Sequence, residues 1–95
     1  MKYEWDVEKA IENRCKHHID FADAVGVLED PRRIEEIDDR FDYGEERTCV
    51  IGMSNDRILF VVTTMRGNAT SRIISARRAT RHEQDRYYAG DGDAW

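Results

Sequence analysis

Ile58-Leu59-Phe60-Val61-Val62 is the longest apolar run in the chain, and no polar residue alternates within it. A strand buried on both faces reads this way, so Arg57–Arg66 is expected at the centre of a sheet. Asn55-Asp56 before it is a hairpin signal. It leads back to a strand over Thr48–Met53 that buries Cys49, Ile51 and Met53, or the alternate set. Gly67-Asn68 turns the chain into a β-branched run, Thr70–Ser75. Upstream the period changes. Phe21, Ala24, Val25 and Leu28 recur at i, i+3, i+4 and i+7, one face of a helix that Asp20 can cap and Asp30-Pro31 ends. An earlier helix is expected over about Val7–His18, capped by Asp6, with a thinner stripe of Val7, Ala10, Ile11 and Cys15. Lys2–Trp5 fits a short strand. Arg33–Arg40, weakly alternating through Ile34 and Ile37, fits a charged edge strand with a loop after it at Asp42–Glu45. Thr80 and Glu83 have the spacing of a capping box and open a last short helix that carries Tyr87. The predicted class is α+β, with N-terminal helices packed on an antiparallel sheet and a short C-terminal helix.

Ninety-five residues support one domain, expected over 1–90, with a flexible Gly- and Asp-rich tail over 91–95. No apolar run is long enough to span a membrane. Acids near the N-terminus stand where a signal peptide would be apolar, so a cytoplasmic location is expected. Cys15 and Cys49 are too few for a disulfide scaffold and are expected to be reduced packing residues. The net charge of −5 hides a polarity along the chain. Met1–Glu46 carries 7 Lys/Arg against 15 Asp/Glu, whereas Arg47–Tyr88 carries 8 Arg, no Lys, and 3 acids. An all-arginine set favours forked recognition of carboxylate or phosphate over loose point charge.

The candidate chemistry follows that bias. Arg72, Arg77, Arg78, Arg81 and Arg86 crowd a segment whose only acids are Glu83 and Asp85. Such a cluster suits a phosphate backbone or an acidic partner equally well. In an unbroken strand Arg72 and Arg77 would point to opposite faces, so they converge only if the chain leaves the strand near Ser75. Arg66 closes the central strand and can complete the cluster. Lys16-His17-His18 reads either as a proton-transfer group beside a phosphate-binding lysine or as helix C-terminal capping. Glu83 reads as a capping carboxylate or as an acid/base. A zinc site from Cys15, His17, His18 and His82 is disfavoured, because Cys15 and His17 leave different faces of a helix and no CxxC pair exists. No nucleophilic serine motif, P-loop or dinucleotide fingerprint is present.

Several blocks occur in one order: Trp5-Asp6 with Glu8-Lys9-Ala10, Asn13, Lys16-His17, Phe21-Ala22-Asp23-Ala24 and Asp30-Pro31. Tyr43-Gly44-Glu45-Glu46-Arg47, Ile51-Gly52, Thr64-x-Arg66-Gly67, Arg72–Arg77 and Glu83-x3-Tyr87 follow. Together they resemble the BrnT-type toxins, the ribonuclease halves of bacterial type II toxin–antitoxin pairs. The resemblance implies a RelE-like fold and RNA cleavage without metal or cofactor. It also implies a BrnA-type antitoxin partner, in a toxin–antitoxin heterotetramer that reaches DNA only through the antitoxin. The family's functional arginines fall on Arg66 and Arg77, and its Lys-His position on Lys16-His17. The family usually has a small residue where this chain has His18. In the mechanism this suggests, the RNA's own 2′-hydroxyl attacks the adjacent phosphate. Arg66 and Arg77 stabilise the phosphoryl charge, His17 or Glu83 moves the proton, and Lys16, Arg72, Arg78, Arg81 and Arg47 hold the RNA backbone. The alternative is a noncatalytic binding module, whose arginines hold an acidic antitoxin segment so that the pair acts as a co-repressor.

Overall fold

A computed structural model describes residues 1–38 and 46–90. The expected loop at Asp42–Glu45, the end of the strand ascribed to Arg33–Arg40 and the tail over 91–95 lie outside the described residues. The described elements are β1 (Lys2–Glu4), α1 (Val7–His17), α2 (Phe21–Leu28), β2 (Ile34–Asp38), β3 (Arg47–Ser54), β4 (Arg57–Arg66), β5 (Thr70–Arg78) and α3 (Arg81–Ala89). The strand order β1-β5-β4-β3-β2 puts β4 in the centre, where its unbroken apolar run belongs. β2 to β5 pair antiparallel. β1 departs from the expected pattern and runs parallel to β5, with Lys2 opposite Thr70 and Glu4 opposite Arg72. This direction delivers the chain to α1 at Trp5, whose ring meets Phe21 edge-on at 6.1 Å. No helix among the described residues is long and apolar enough to cross a membrane.

The sheet is covered on both faces, which is why β3 and β4 do not alternate. On one face Ile19, Phe21, Ala24 and Val27 pack on Val50, Leu59, Val61, Ile73 and Ala76. On the other, Ala79 and Tyr87 close over Ile34, Ile51 and Ile58. The two alternate sets of β3 are therefore both buried at its middle. α2 lies close to the sheet because Gly52 has no side chain. A Cβ there would meet Val27 Cγ1 and the Val27 carbonyl oxygen at 3.0 Å. The hairpin at Asn55-Asp56 has both residues at positive φ, 52° and 62°, the twist a two-residue β-hairpin needs.

α1 is rotated from the expected orientation. Val7 and Ile11 are 68% and 59% exposed, and Cys15 is exposed rather than a packing residue. The inward face carries Asn13, 6% exposed, with Ala10 and His17 half-buried beside it. The cause lies at the sheet edge. β1 stops at Glu4, so β5 has no strand neighbour on that side beyond Arg72. Asn13 supplies one. Its Nδ2 donates to the Ala76 carbonyl at 2.8 Å and to the Ile19 carbonyl at 3.0 Å, and its Oδ1 accepts from the Ala76 N–H at 3.1 Å. A buried backbone group left unbonded costs about 1–3 kcal/mol. Asn13 satisfies three, and the Val7/Ile11 stripe then faces away. α1 also ends one residue early. His18 adopts a left-handed conformation (φ 59°) and donates its N–H to the Arg14 carbonyl at 2.9 Å. Glycine takes this backbone position at least cost.

Candidate active site

Arg72 and Arg77 do share a face, but not because the strand ends. β5 continues to Arg78, and its register against β4 slips once. Val62 stands opposite Ser75, Thr63 opposite Ile73, and Ile74 is left over. One inserted residue inverts the alternation of everything beyond it. Arg72 (opposite Thr64), Ser75 (opposite Val62) and Arg77 (opposite Phe60) consequently lie on the same side. By the same alternation Arg66 and Arg47 lie there too. α3 covers this face only at its Ile51/Ile58 end. Arg78, opposite Leu59, leaves the other face and is exposed, and Arg81 sits in the exposed first turn of α3.

Arg77 is held on three sides. Its Nη1 and Nη2 donate to Glu83 Oε1 and Oε2 at 2.8 and 3.0 Å, and Nη1 also donates to the Arg78 carbonyl at 3.1 Å. Its guanidinium carbon lies 4.1 Å from the centre of the Phe60 ring. Of the five guanidinium N–H donors, the Nε–H and one Nη2–H remain. They lie on one edge and run parallel, which is the fork that binds two oxygens of a phosphate. Glu83 is fixed in turn: Oε1 accepts from the Thr80 N–H at 2.8 Å, and Thr80 Oγ1 accepts from the Glu83 N–H. Capping carboxylate and arginine partner are thus one group. Burial pushes the Glu83 pKa up, but the bonds from Arg77 and Thr80 outweigh it and hold the carboxyl below its usual value.

Folding offsets part of the charge polarity of the sequence. Acids of the first half pair with arginines of the second: Glu4 with Arg72 at 2.6 Å, Asp23 with Arg57 at 3.0 Å, and Glu36 with Arg86. Arg81 pairs with Asp85 within α3. Arg66 and Arg78 make no ion pair among the described residues. Lys16 and His17 do not join the arginines directly. They line a cleft of about 220 Å³ between α1 and the bulge, whose opposite wall includes Ile74 and Ser75. Ser75 links the two groups, because its side chain shares the Arg77 face. Among the described residues no three His, Cys, Asp or Glu side chains cluster as a metal site would require.

The family described as the ribonuclease toxin BrnT of type II toxin–antitoxin systems matches residues 5–83. The chain belongs to this BrnT family. The crystal structure of the Brucella abortus ribonuclease toxin BrnT is similar, with a TM-score of 0.63 and 28% identity, over 85% of this chain and 99% of that one. A search of curated proteins finds no match. This BrnT-family chain therefore has a cognate antitoxin as its class of partner, as type II toxins do.

Two of the blocks behind the resemblance prove architectural. The Tyr87 hydroxyl donates to Asp30 Oδ2 at 2.6 Å, and Asp30 also accepts from the Met53 and Arg32 N–H groups at 2.8 and 2.9 Å. This clamp ties α3 to the turn after α2 and to β3. Burial, then the bond and charge of Asp30, push the Tyr87 hydroxyl up to about 12. Burial raises the Asp30 pKa, and the three donated bonds outweigh it and lower it. The bulge at Ile74 has no spacing or motif that announces it, and Asn13, although one of the matched positions, gives no sign in the sequence of its role as a strap on β5. Only the odd separation of Arg72 and Arg77 hints that the strand must break its alternation.

Proposed function

We propose that this toxin cleaves RNA through attack of the 2′-hydroxyl on the adjacent phosphate, without a metal ion. The observation that carries the reading is Arg77: a guanidinium fixed by Glu83, Phe60 and the Arg78 carbonyl, with two parallel donors left on the sheet face. The 2′-oxygen–phosphorus bond forms and the bond from phosphorus to the 5′-oxygen breaks, leaving a 2′,3′-cyclic phosphate and a 5′-hydroxyl. One proton leaves the 2′-hydroxyl and one reaches the departing 5′-oxygen. The nucleophile is tethered, so no metal is needed to recruit it. Arg77 stabilises the phosphoryl oxygens as charge grows, a contribution of about 3 kcal/mol per donor in comparable sites. Arg66 shares that face but stands six residues further along β4, roughly 20 Å away, so it holds the RNA backbone beyond the scissile phosphate. His17 moves the proton, worth about 10²–10⁴-fold. Glu83, a carboxylate at neutral pH, acts as a positioning residue for Arg77. Lys16, Arg72 and Arg47 hold the backbone at the site, Arg81 meets it from the first turn of α3, and Arg78, which leaves the other face of the sheet, meets it only where the RNA passes the edge of β5. Such contacts set register and read no bases.

The cognate partner is a BrnA-type antitoxin, bound in a heterotetramer in the cytoplasm, with DNA reached through the antitoxin alone. An acidic segment of it covers the Arg66/Arg77 face and excludes RNA from the same donors. Cleavage by purified toxin in EDTA tests the chemistry. Products ending in 2′,3′-cyclic phosphate and 5′-hydroxyl are expected, and activity lost on chelation and restored by Zn²⁺ or Mg²⁺ would reverse the reading. Titrating Arg66→Ala and Arg77→Ala toxins with antitoxin tests the partner surface. Both should bind more weakly than wild type, and unchanged affinity in both would place the antitoxin elsewhere.

A further inference from the structure

The cleft between α1 and the bulge holds more positive charge than the reading above uses. Lys9 and Lys16, two turns apart on α1, line it with His17, and Ser75 closes it from β5. Neither lysine makes an ion pair among the described residues, although the carboxylate of Glu12 belongs to the same wall. β5 is open here. β1 has already ended at Glu4, and Asn13 bonds only to Ala76 on this edge. Two ammonium groups, an imidazole and a hydroxyl around one concavity make a site for an anion. The strand indicates which anion. Ser75 and Arg77 are two residues apart on one face, a step of roughly 7 Å. Successive phosphates of an extended nucleic-acid strand have a comparable separation.

We propose that this cleft takes the RNA phosphate next to the one cleaved, with Lys9 and Lys16 as its cations. The inference rests on Arg77 holding the scissile phosphate. The strand then runs along β5, with one phosphate at Arg77, the next between α1 and Ser75, and His17 at the junction where a proton must move. Lys9, an exposed residue of the first turns of α1, becomes part of the RNA site. Glu12 opposes the phosphate and weakens the subsite.

The test uses the whole toxin with Lys9→Gln and Glu12→Gln, both exposed positions whose folding is checked by a thermal melt. On a single-stranded RNA oligonucleotide, Lys9→Gln should raise KM about three- to tenfold. The slope of log Kd against log salt should become shallower by about 0.7, one phosphate contact on a single strand. On a dinucleoside monophosphate, which has only the scissile phosphate, the ratio to wild type should fall below about twofold. Glu12→Gln should bind the oligonucleotide more tightly. An unchanged KM and salt slope in Lys9→Gln, or an equal loss on both substrates, overturns the proposal. The salt slope measured on a noncleavable 2′-O-methyl RNA keeps the two readings apart. If Arg77→Ala still cleaves, the catalytic assignment fails, while the difference in slope between wild type and Lys9→Gln on this RNA continues to report on the cleft.

Discussion

Glu83→Gln separates positioning from proton transfer. The substitution keeps the side chain's shape, and glutamine can still close the capping box, so α3 should persist. It removes the charge that holds Arg77. At present both carboxylate oxygens accept from the guanidinium, at 2.8 and 3.0 Å, in a pair whose side chains are 34% and 14% exposed. An amide offers one neutral acceptor and turns an N–H toward the other donor. Charge-assisted bonds are about twice as strong as neutral ones, and partial exposure reduces their worth. A loss of about 1–2 kcal/mol in stability follows, or roughly 5–10 °C in Tm for a domain of this size. The arginine keeps Phe60 and the Arg78 carbonyl but gains freedom, and misplacement on the ångström scale costs up to about 10²-fold in rate. Single-turnover RNA cleavage should therefore fall about 10- to 100-fold, with KM changed less than kcat. The pH–rate profile distinguishes the roles: a positioning residue leaves both limbs in place, whereas loss of a proton-transfer group removes one. Wild-type kcat in Glu83→Gln, or a vanished limb, would refute the argument.

Other perturbations probe the scaffold. Tyr87→Phe should cost about 1–3 kcal/mol near neutral pH by denaturant melts, because Asp30 loses a donor. The Tyr87 pKa is raised to about 12 from 10.0, so its stabilisation is full below pH 10 and lost as pH rises through 12, and the variant should lack that alkaline loss. Lowered pKa values at Asp30 and Glu83 act in the opposite direction, with stability present above ordinary carboxylate values and lost as pH falls through the folded values. His18→Gly should raise stability by about 0.5–1 kcal/mol by relieving the left-handed cap, and an unchanged melt would deny that strain. Gly52→Ala should destabilise by about 1–3 kcal/mol, since its Cβ meets Val27 at 3.0 Å, and a neutral result would show that α2 can shift.

Local pattern was enough for most elements because their reasons are local. The unbroken Ile58–Val62 run marks a central strand, Thr80 and Glu83 mark a helix start, and Asn55-Asp56 marks a hairpin. The orientation of α1 was not legible, because its apolar stripe argues one way and a single Asn13 amide, answering an open edge 63 residues on, argues the other. The parallel pairing of β1 depends on the same distant strand. At the site, the matched blocks pointed to Arg66 and Arg77, yet the bulge that aligns Arg72 with Arg77 is a register event between two strands. The charge halves misled for a similar reason: Glu4, Asp23 and Glu36 are remote in sequence from Arg72, Arg57 and Arg86 and adjacent in space.

The central claim is that Arg77 presents a fixed fork to the scissile phosphate. Single-turnover cleavage of one RNA by wild-type, Arg77→Lys and Arg77→Ala toxins tests it most directly, with thermal melts confirming the fold. Lysine keeps the charge and loses the fork. The account predicts a loss of at least about 10²-fold in both variants, with lysine recovering little of it. Cleavage at the wild-type rate by folded Arg77→Ala, or full recovery by lysine, would contradict it.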